Sequence, residues 1–159
     1  AGAKMAGADL TKALLREANM TSTNLTTAVL KGADMRQVDL TGAVLRNADL
    51  TAVWLMESIL DDVELSSAKL THAVLRDAKV RRAQLNGARL QAAILPRADL
   101  SSSSLIGADL TGANLIGAIL DGASLLQARI QFATMQQSVL CNTTMPDRRI
   151  VYSGCPRIQ

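Results

Sequence analysis

The stretch Ala108-Asp109-Leu110-Thr111-Gly112-Ala113-Asn114-Leu115-Ile116-Gly117-Ala118-Ile119-Leu120-Asp121-Gly122-Ala123-Ser124-Leu125 is one five-residue unit, Ala-Asp-Leu-Thr-Gly, written repeatedly. Working outward, the step persists in both directions. From Met5 to Ile150 every position divisible by five is apolar, 30 in all: 22 Leu, 5 Met, 2 Ile and 1 Val. Two residues before these positions stands, as a rule, a small residue (Ala8, Ala13, Ala43, Ala73, Ala118), with Val38, Val53 and Val63 as larger exceptions.

Ala and Leu favour helices locally, but a step of five turns about 140° on a helix and scatters the leucines around its axis. A flat strand also fails, because an odd step sends successive leucines to opposite faces. The chain must therefore turn once per unit. Nine of the ten glycines fall two residues after the multiple-of-five position, joined there by Asn47 and Asn142, and all three prolines fall one residue after it. A type II turn takes Pro at its second place and needs positive φ at its third, hence Gly or Asn. Leu-X-Gly-Ala reads as such a turn, with Leu and Ala pointing inward at its ends.

If coils stack at strand spacing, about 4.8 Å, charges one coil apart become neighbours and the true register should favour opposite signs. Comparing each charge with the one four units on gives seven opposite pairs, among them Asp49/Lys69, Asp61/Arg81 and Asp77/Arg97, against four like pairs. Comparison three units on gives three opposite and six like. That favours four units per coil and a square section. The recurrence of Leu14, Val29, Val44, Ile59 and Val74 at every third unit points the other way.

Ala8-Asp9-Leu10, Ala48-Asp49-Leu50, Ala98-Asp99-Leu100 and Ala113-Asn114-Leu115 match the motif A-(D/N)-L-X-X, and the chain resembles the pentapeptide-repeat proteins over roughly residues 1–145. The resemblance implies an all-β fold, a right-handed quadrilateral β-helix. Unlike many members, this chain has no Phe in the central column. Thirty units make about 7.5 coils, a rod of roughly 36 Å at strand spacing. Each buried Leu contributes about 1.5–3 kcal/mol, so stability accumulates coil by coil.

The expected division is a β-helix over residues 1–145 and a C-terminal cap over 146–159. Arg148 stands where a small inward residue belongs, and Pro146-Asp147 starts a turn. The segment from Cys141 through Cys155 resembles the C-terminal cap of cyanobacterial and plastid-lumen members, although Arg148 replaces the Gly often found after Asp. That resemblance implies a periplasmic or thylakoid-lumenal home rather than a cytoplasmic one. Cys141 and Cys155, the only two cysteines, bracket the cap. A disulfide closing this short separation is expected; two reduced thiols, with Cys155 in an inward column, is the alternative. Phe132 and Tyr152, four units apart, are expected to stack by the cap.

No apolar run approaches the roughly 20 residues of a membrane span. The chain begins at Ala1 already in register, so either a leader has been removed or the chain was trimmed, and the bare first coil invites end-to-end association. Residues 68–97 carry seven bases (Lys69, Arg76, Lys79, Arg81, Arg82, Arg89, Arg97) and only Asp77, against net −3 over residues 1–67 and −3 over 98–147. This is a candidate basic belt for an anionic partner; the competing reading is that most of these bases have an acid one coil away. With 2% aromatic residues there is little material for nucleic-acid stacking, so nucleic acid is not the expected partner.

One side of the square displays Trp54, Met56, Val74, Ile94, Pro96 and Ile116 on consecutive coils. Contiguous exposed apolar area marks interfaces, and Trp is enriched at binding hot spots; ordinary surface scatter, or cover by the tail, is the alternative. His72, the one histidine, sits in a turn column. One His, two terminal Cys and no strand-turn-helix context assemble no triad, zinc site or phosphate loop; no cofactor and no catalysis are expected. The expected function is a non-catalytic scaffold that binds an unidentified protein, or a second copy, through the Trp54 side or the N-terminal end. A topoisomerase-protecting DNA mimic, a role the resemblance implies, is disfavoured by an isoelectric point near 9.2; weak nucleic-acid binding through the belt is the third reading.

Overall fold

In the structure, a computed structural model, residues 1–155 are described. Pro156, Arg157 and the rest of the last four positions of the expected cap lie outside the described residues. One unit accounts for nearly all its own backbone polar groups. The Ala13 N–H donates to the Leu10 carbonyl at 3.0 Å and closes the turn, while the Lys12 and Leu10 N–H groups donate to the carbonyls of Lys31 and Val29 in the next coil, at 2.9 and 2.7 Å. The Asp34 N–H in turn donates to the Ala13 carbonyl at 2.9 Å.

That leaves the second turn residue, and a side chain serves it. The Thr11 N–H donates to Asp9 Oδ1 at 3.0 Å, and the Thr11 hydroxyl donates to the same oxygen at 2.6 Å. The pattern repeats at Thr41/Asp39, Thr51/Asp49, Ser101/Asp99 and Thr111/Asp109. This is why Asp or Asn precedes the Leu and Thr or Ser follows it: the polar pair satisfies the one backbone donor the coil geometry leaves free.

The third turn position has positive φ throughout, from Gly2 to Asn142. Glycine is relaxed there, as at Gly112 with φ 67°, but Lys12, Ala52 and Phe132 adopt 57°, 55° and 60° at the same station. The turn is therefore imposed by the repeat, not by glycine alone. The coils are in register four units apart: isolated parallel bridges link Lys4 to Asn24, Asp34 to Trp54, Trp54 to Val74 and so on to Ser124 with Thr144. The fold is the right-handed quadrilateral β-helix. The three-unit recurrence is not a second register, since Leu14, Val29, Val44 and Ile59 each fall on a different side of the square and only Val74 returns to the side of Leu14.

Inside, the Leu and Ala columns run buried from Met20 to Ala128, while Met5, Leu10 and Leu15 at one end and Ile130, Met135, Leu140 and Met145 at the other pack against them only partly covered. Where Ser58, Ser103, Ser138 or Thr143 replaces the inward Ala, its hydroxyl donates to a carbonyl of the core wall, as Ser58 Oγ does to the Met35 carbonyl at 2.9 Å and Thr143 Oγ1 to that of Leu120 at 2.7 Å. No buried side-chain N or O among the described residues lacks a partner.

After Met145 the chain reverses. Strand β1 (Leu140–Thr144) pairs antiparallel with β2 (Ile150–Ser153). The connection is Pro146-Asp147-Arg148, with the Arg148 N–H on the Met145 carbonyl at 3.0 Å and Arg148 at φ 72°. This is a turn followed by one left-handed residue, the usual three-residue hairpin loop. Arg148 thus takes the position that suits Gly and is exposed, not inward. Cys141 and Cys155 are joined as a disulfide with a Cα separation of 4.7 Å. Gly154 allows the returning chain to approach so closely: a Cβ there would lie 3.2 Å from Val139 Cα. Because β2 runs backwards, the four-unit register ends at the hairpin. The expected stacking of Phe132 on Tyr152 does not form, and both are exposed, at 89% and 64%.

Candidate interaction surface

The side carrying Trp54 lies between two columns of turns, the Thr51 corner (51–52, 71–72, 91–92, 111–112, 131–132) and the Met56 corner (56–57, 76–77, 96–97, 116–117). Trp54, Val74 and Ile94 are joined directly by parallel bridges, with Asp34 before them and Asn114 after. Trp54 is 47% and Ile94 41% exposed; Val74 is half-buried between them. Met56, Pro96 and Ile116 are one coil or two apart on the Met56 corner, where Arg76 interrupts them. The structure thus joins three of the six residues into a continuous strip and leaves the other three beside it.

Trp54 is held, not merely displayed. The Arg36 guanidinium lies over its ring, 5.0 Å from the centroid, and Arg36 Nε and Nη2 donate to the two Asp34 carboxylate oxygens at 2.7 and 2.5 Å. Hydrogen bonding from Arg36 holds the Asp34 carboxyl below its ordinary value, and the same bond raises the Arg36 guanidinium. The pair therefore stays charged, and the ring braced, at any physiological pH. A cation over an aromatic face contributes about 0.5–1 kcal/mol at an exposed site, and a ring immobilised before binding loses less entropy on contact. Along the Met56 corner beside it, a cleft of about 230 Å³ is lined by Arg16, Arg36, Gln37, Met56, Glu57 and Arg76.

The basic belt is largely compensated. Arg82 and Arg97 form two-pronged bonds to Asp62 and Asp77 at 2.7–2.8 Å, Arg81 does the same to Asp61, and Lys69 lies 3.6 Å from Asp49. Arg76 reaches Asp77 only at 4.0 Å. Among the described residues, Lys79 and Arg89 are beyond ion-pair distance of any acid. Asp61 is buried and also accepts the Arg81 backbone N–H at 3.2 Å; hydrogen bonding from the Arg81 guanidinium, before all else, lowers its pKa. Pairs also form two positions short of a full coil, Arg16–Asp34, Lys31–Asp49 and Arg46–Glu64, which comparison at whole units misses.

His72 is exposed in a turn with φ 58°. Among the described residues no group of three or more His, Cys, Asp or Glu side chains converges as a metal site, and no helix is long and apolar enough to cross a membrane. On this side and its Thr51 corner two further exposed apolar residues had no place in the expected surface: Leu14, 84% exposed and two coils before Trp54, and Phe132 on the corner. Their column positions, two coils before Trp54 and four after Ala52, were the available signal.

The profile of the family described as pentapeptide repeats (8 copies) matches residues 1–32, 23–62, 58–95, 83–122 and 108–145. Among solved structures, HetL, a pentapeptide repeat protein involved in heterocyst differentiation regulation from the cyanobacterium Nostoc, is 30% identical over 94% of this chain and 88% of its own, with a TM-score of 0.50. QnrB1, a plasmid-mediated fluoroquinolone resistance protein, is 19% identical over 91% of this chain and 70% of its own, with a TM-score of 0.67; that likeness concerns the fold alone. No curated protein matches the chain significantly.

Proposed function

The chain belongs to the pentapeptide-repeat family, and from that premise we propose that it is a non-catalytic scaffold whose Trp54 side binds another protein. The observation that carries this reading is the exposed Trp54 ring, braced by Arg36 and Asp34 at one end of an apolar strip through Val74 and Ile94. A solenoid presents such a strip on a rigid wall, so contact requires little reordering of the scaffold. Met56, Pro96 and Ile116 flank it and widen the apolar footprint. The compensated belt favours a protein over a nucleic acid, since paired arginines release few counterions. The disulfide supports a periplasmic or thylakoid-lumenal location, because structural disulfides persist in oxidising compartments.

The test is retention of partners from an extract of the native source by immobilised protein, comparing wild type with Trp54→Ala and with Gln84→Ala on another side. A species kept by wild type and by Gln84→Ala but lost with Trp54→Ala supports the reading. Identical retention by all three overturns it.

A further inference from the structure

The Trp54 side and the Thr51 corner together carry no Asp, Glu, Lys or Arg for five coils. Their outward residues run Thr51, Ala52, Trp54; Thr71, His72, Val74; Gln91, Ala92, Ile94; Thr111, Gly112, Asn114; Gln131, Phe132, Thr134. Charged residues interrupt the other three sides: Lys69 and Arg89 follow one another on the side across the Thr51 corner, Lys79 and Asp99 on the side across the Met56 corner, and Glu64 stands on the opposite side. The levels of Trp54 and Thr134 are four coil steps apart, about 19 Å at strand spacing. Phe132, 89% exposed, stands at one end of this uncharged wall and Trp54 at the other.

We propose that two copies of the chain pair through this wall, antiparallel, about a two-fold axis lying across it at the level of Ile94. The inference rests on the Trp54 side being an interface and names its occupant. A two-fold axis in that place sets each level against the one equally far beyond Ile94. Ile94 then meets Ile94 of the second copy, and Ala92 meets Ala92. Elsewhere bulk meets space: Phe132 faces Ala52, Trp54 faces Thr134, and His72 faces Gly112, whose site has no atom within 4 Å of where a Cβ would be. Asp34 lies one level beyond the overlap, and of the charged groups near it only the Arg36 guanidinium reaches the Trp54 ring. A parallel pair would instead set Trp54 against Trp54, bulk against bulk, and leave Phe132 opposite the Gln136–Gln137 turn of its mate. The wall is small beside the roughly 800 Å² per partner of a standard interface, so the dimer is reversible and concentration-dependent.

The experiment is sedimentation velocity on the purified full chain over a wide concentration range, for wild type, Trp54→Ala, Phe132→Ala, Ile94→Lys, Ile94→Glu and Gln84→Lys. Every substituted side chain is outward, and circular dichroism and melting confirm folding. The expected result is a wild-type and Gln84→Lys dimer, a dissociation constant raised roughly tenfold or more in Trp54→Ala and Phe132→Ala, and no dimer for Ile94→Lys or Ile94→Glu alone. A dimer in the equimolar mixture of the two Ile94 variants is expected, because the axis sets the introduced ammonium of one copy against the introduced carboxylate of the other only in the mixed pair. A wild type that stays monomeric overturns the second copy as occupant, while the retention assay with Trp54→Ala still decides whether the side binds another protein. A dimer indifferent to Trp54, Phe132 and Ile94 overturns the proposal as well.

Discussion

Replacing Ala52 by Gly should stabilise this protein, the reverse of what the same change does in a helix. Ala52 and Ala92 hold the third turn position at φ 55° and 53°, in the left-handed region, where Gly2, Gly7, Gly32, Gly42 and Gly87 sit elsewhere in the chain. A side chain with a Cβ costs about 1–2 kcal/mol in that region. Against this, Gly gains about 0.4–1 kcal/mol of freedom in the unfolded chain. The difference leaves a stabilisation of roughly 0.8 kcal/mol, which for a chain of this size raises the melting temperature by about 2–3 °C. The two alanines are two coils apart, so the double variant Ala52→Gly/Ala92→Gly should gain about twice as much. Gly112→Ala is the reciprocal test: φ is 67° and a Cβ meets nothing within 4 Å, so only the backbone cost remains and stability should fall by a similar amount. Urea denaturation followed by circular dichroism reads both, as a shift in midpoint at unchanged slope. If Ala52→Gly and Ala92→Gly lower the midpoint, left-handed strain is not a significant cost in this repeat and the turn reasoning fails.

Leu75→Ala should cost about 2–5 kcal/mol, since Leu75 is 2% exposed and the shaft above and below it cannot collapse into the void; Leu75→Asp should prevent folding and Gln84→Ala should do almost nothing, all measured by thermal melting. Stability should be flat from pH 7 to about 5 and fall as the pH drops below the ordinary carboxylate value near 3.9. The sign follows from Asp34, Asp61, Asp62 and Asp77, whose lowered pKa values make the folded state bind fewer protons than the unfolded one; Asp61→Asn should lower the neutral plateau and flatten the acid limb of a urea-midpoint profile. Reducing Cys141–Cys155 should release the cap and cost up to about 3 kcal/mol by loop entropy, seen as a lower melting temperature with dithiothreitol and no further loss in Cys155→Ser.

The core and register were legible because the repeat writes them thirty times, and error in any one unit is averaged away: Met35, Leu55 and Leu75 are inward whatever Trp54 does. Glycine placement exposed the turn because it is a backbone requirement, visible even though Lys12, Glu17 and Ser22 hold the same φ without glycine. The role of Asp before Leu was not legible from periodicity, because it answers a question of unpaired N–H groups that only the coil-to-coil bonds pose. The pairs two positions short of a coil were hidden for a related reason: a turn residue such as Arg16 leans back toward the preceding side of the next coil, where Asp34 sits, so side-chain direction and not coil length sets the spacing. Past Met145 the period itself misled, since Tyr152 stands at the right distance from Phe132 along the chain but on a strand running the opposite way. The uncharged wall belongs to the same class of fact as the register. It becomes visible only after the sequence is folded at four units per coil and read down each corner, which places Phe132 in line with Ala52 and turns a residue expected to stack on Tyr152 into one end of a surface whose other end is Trp54.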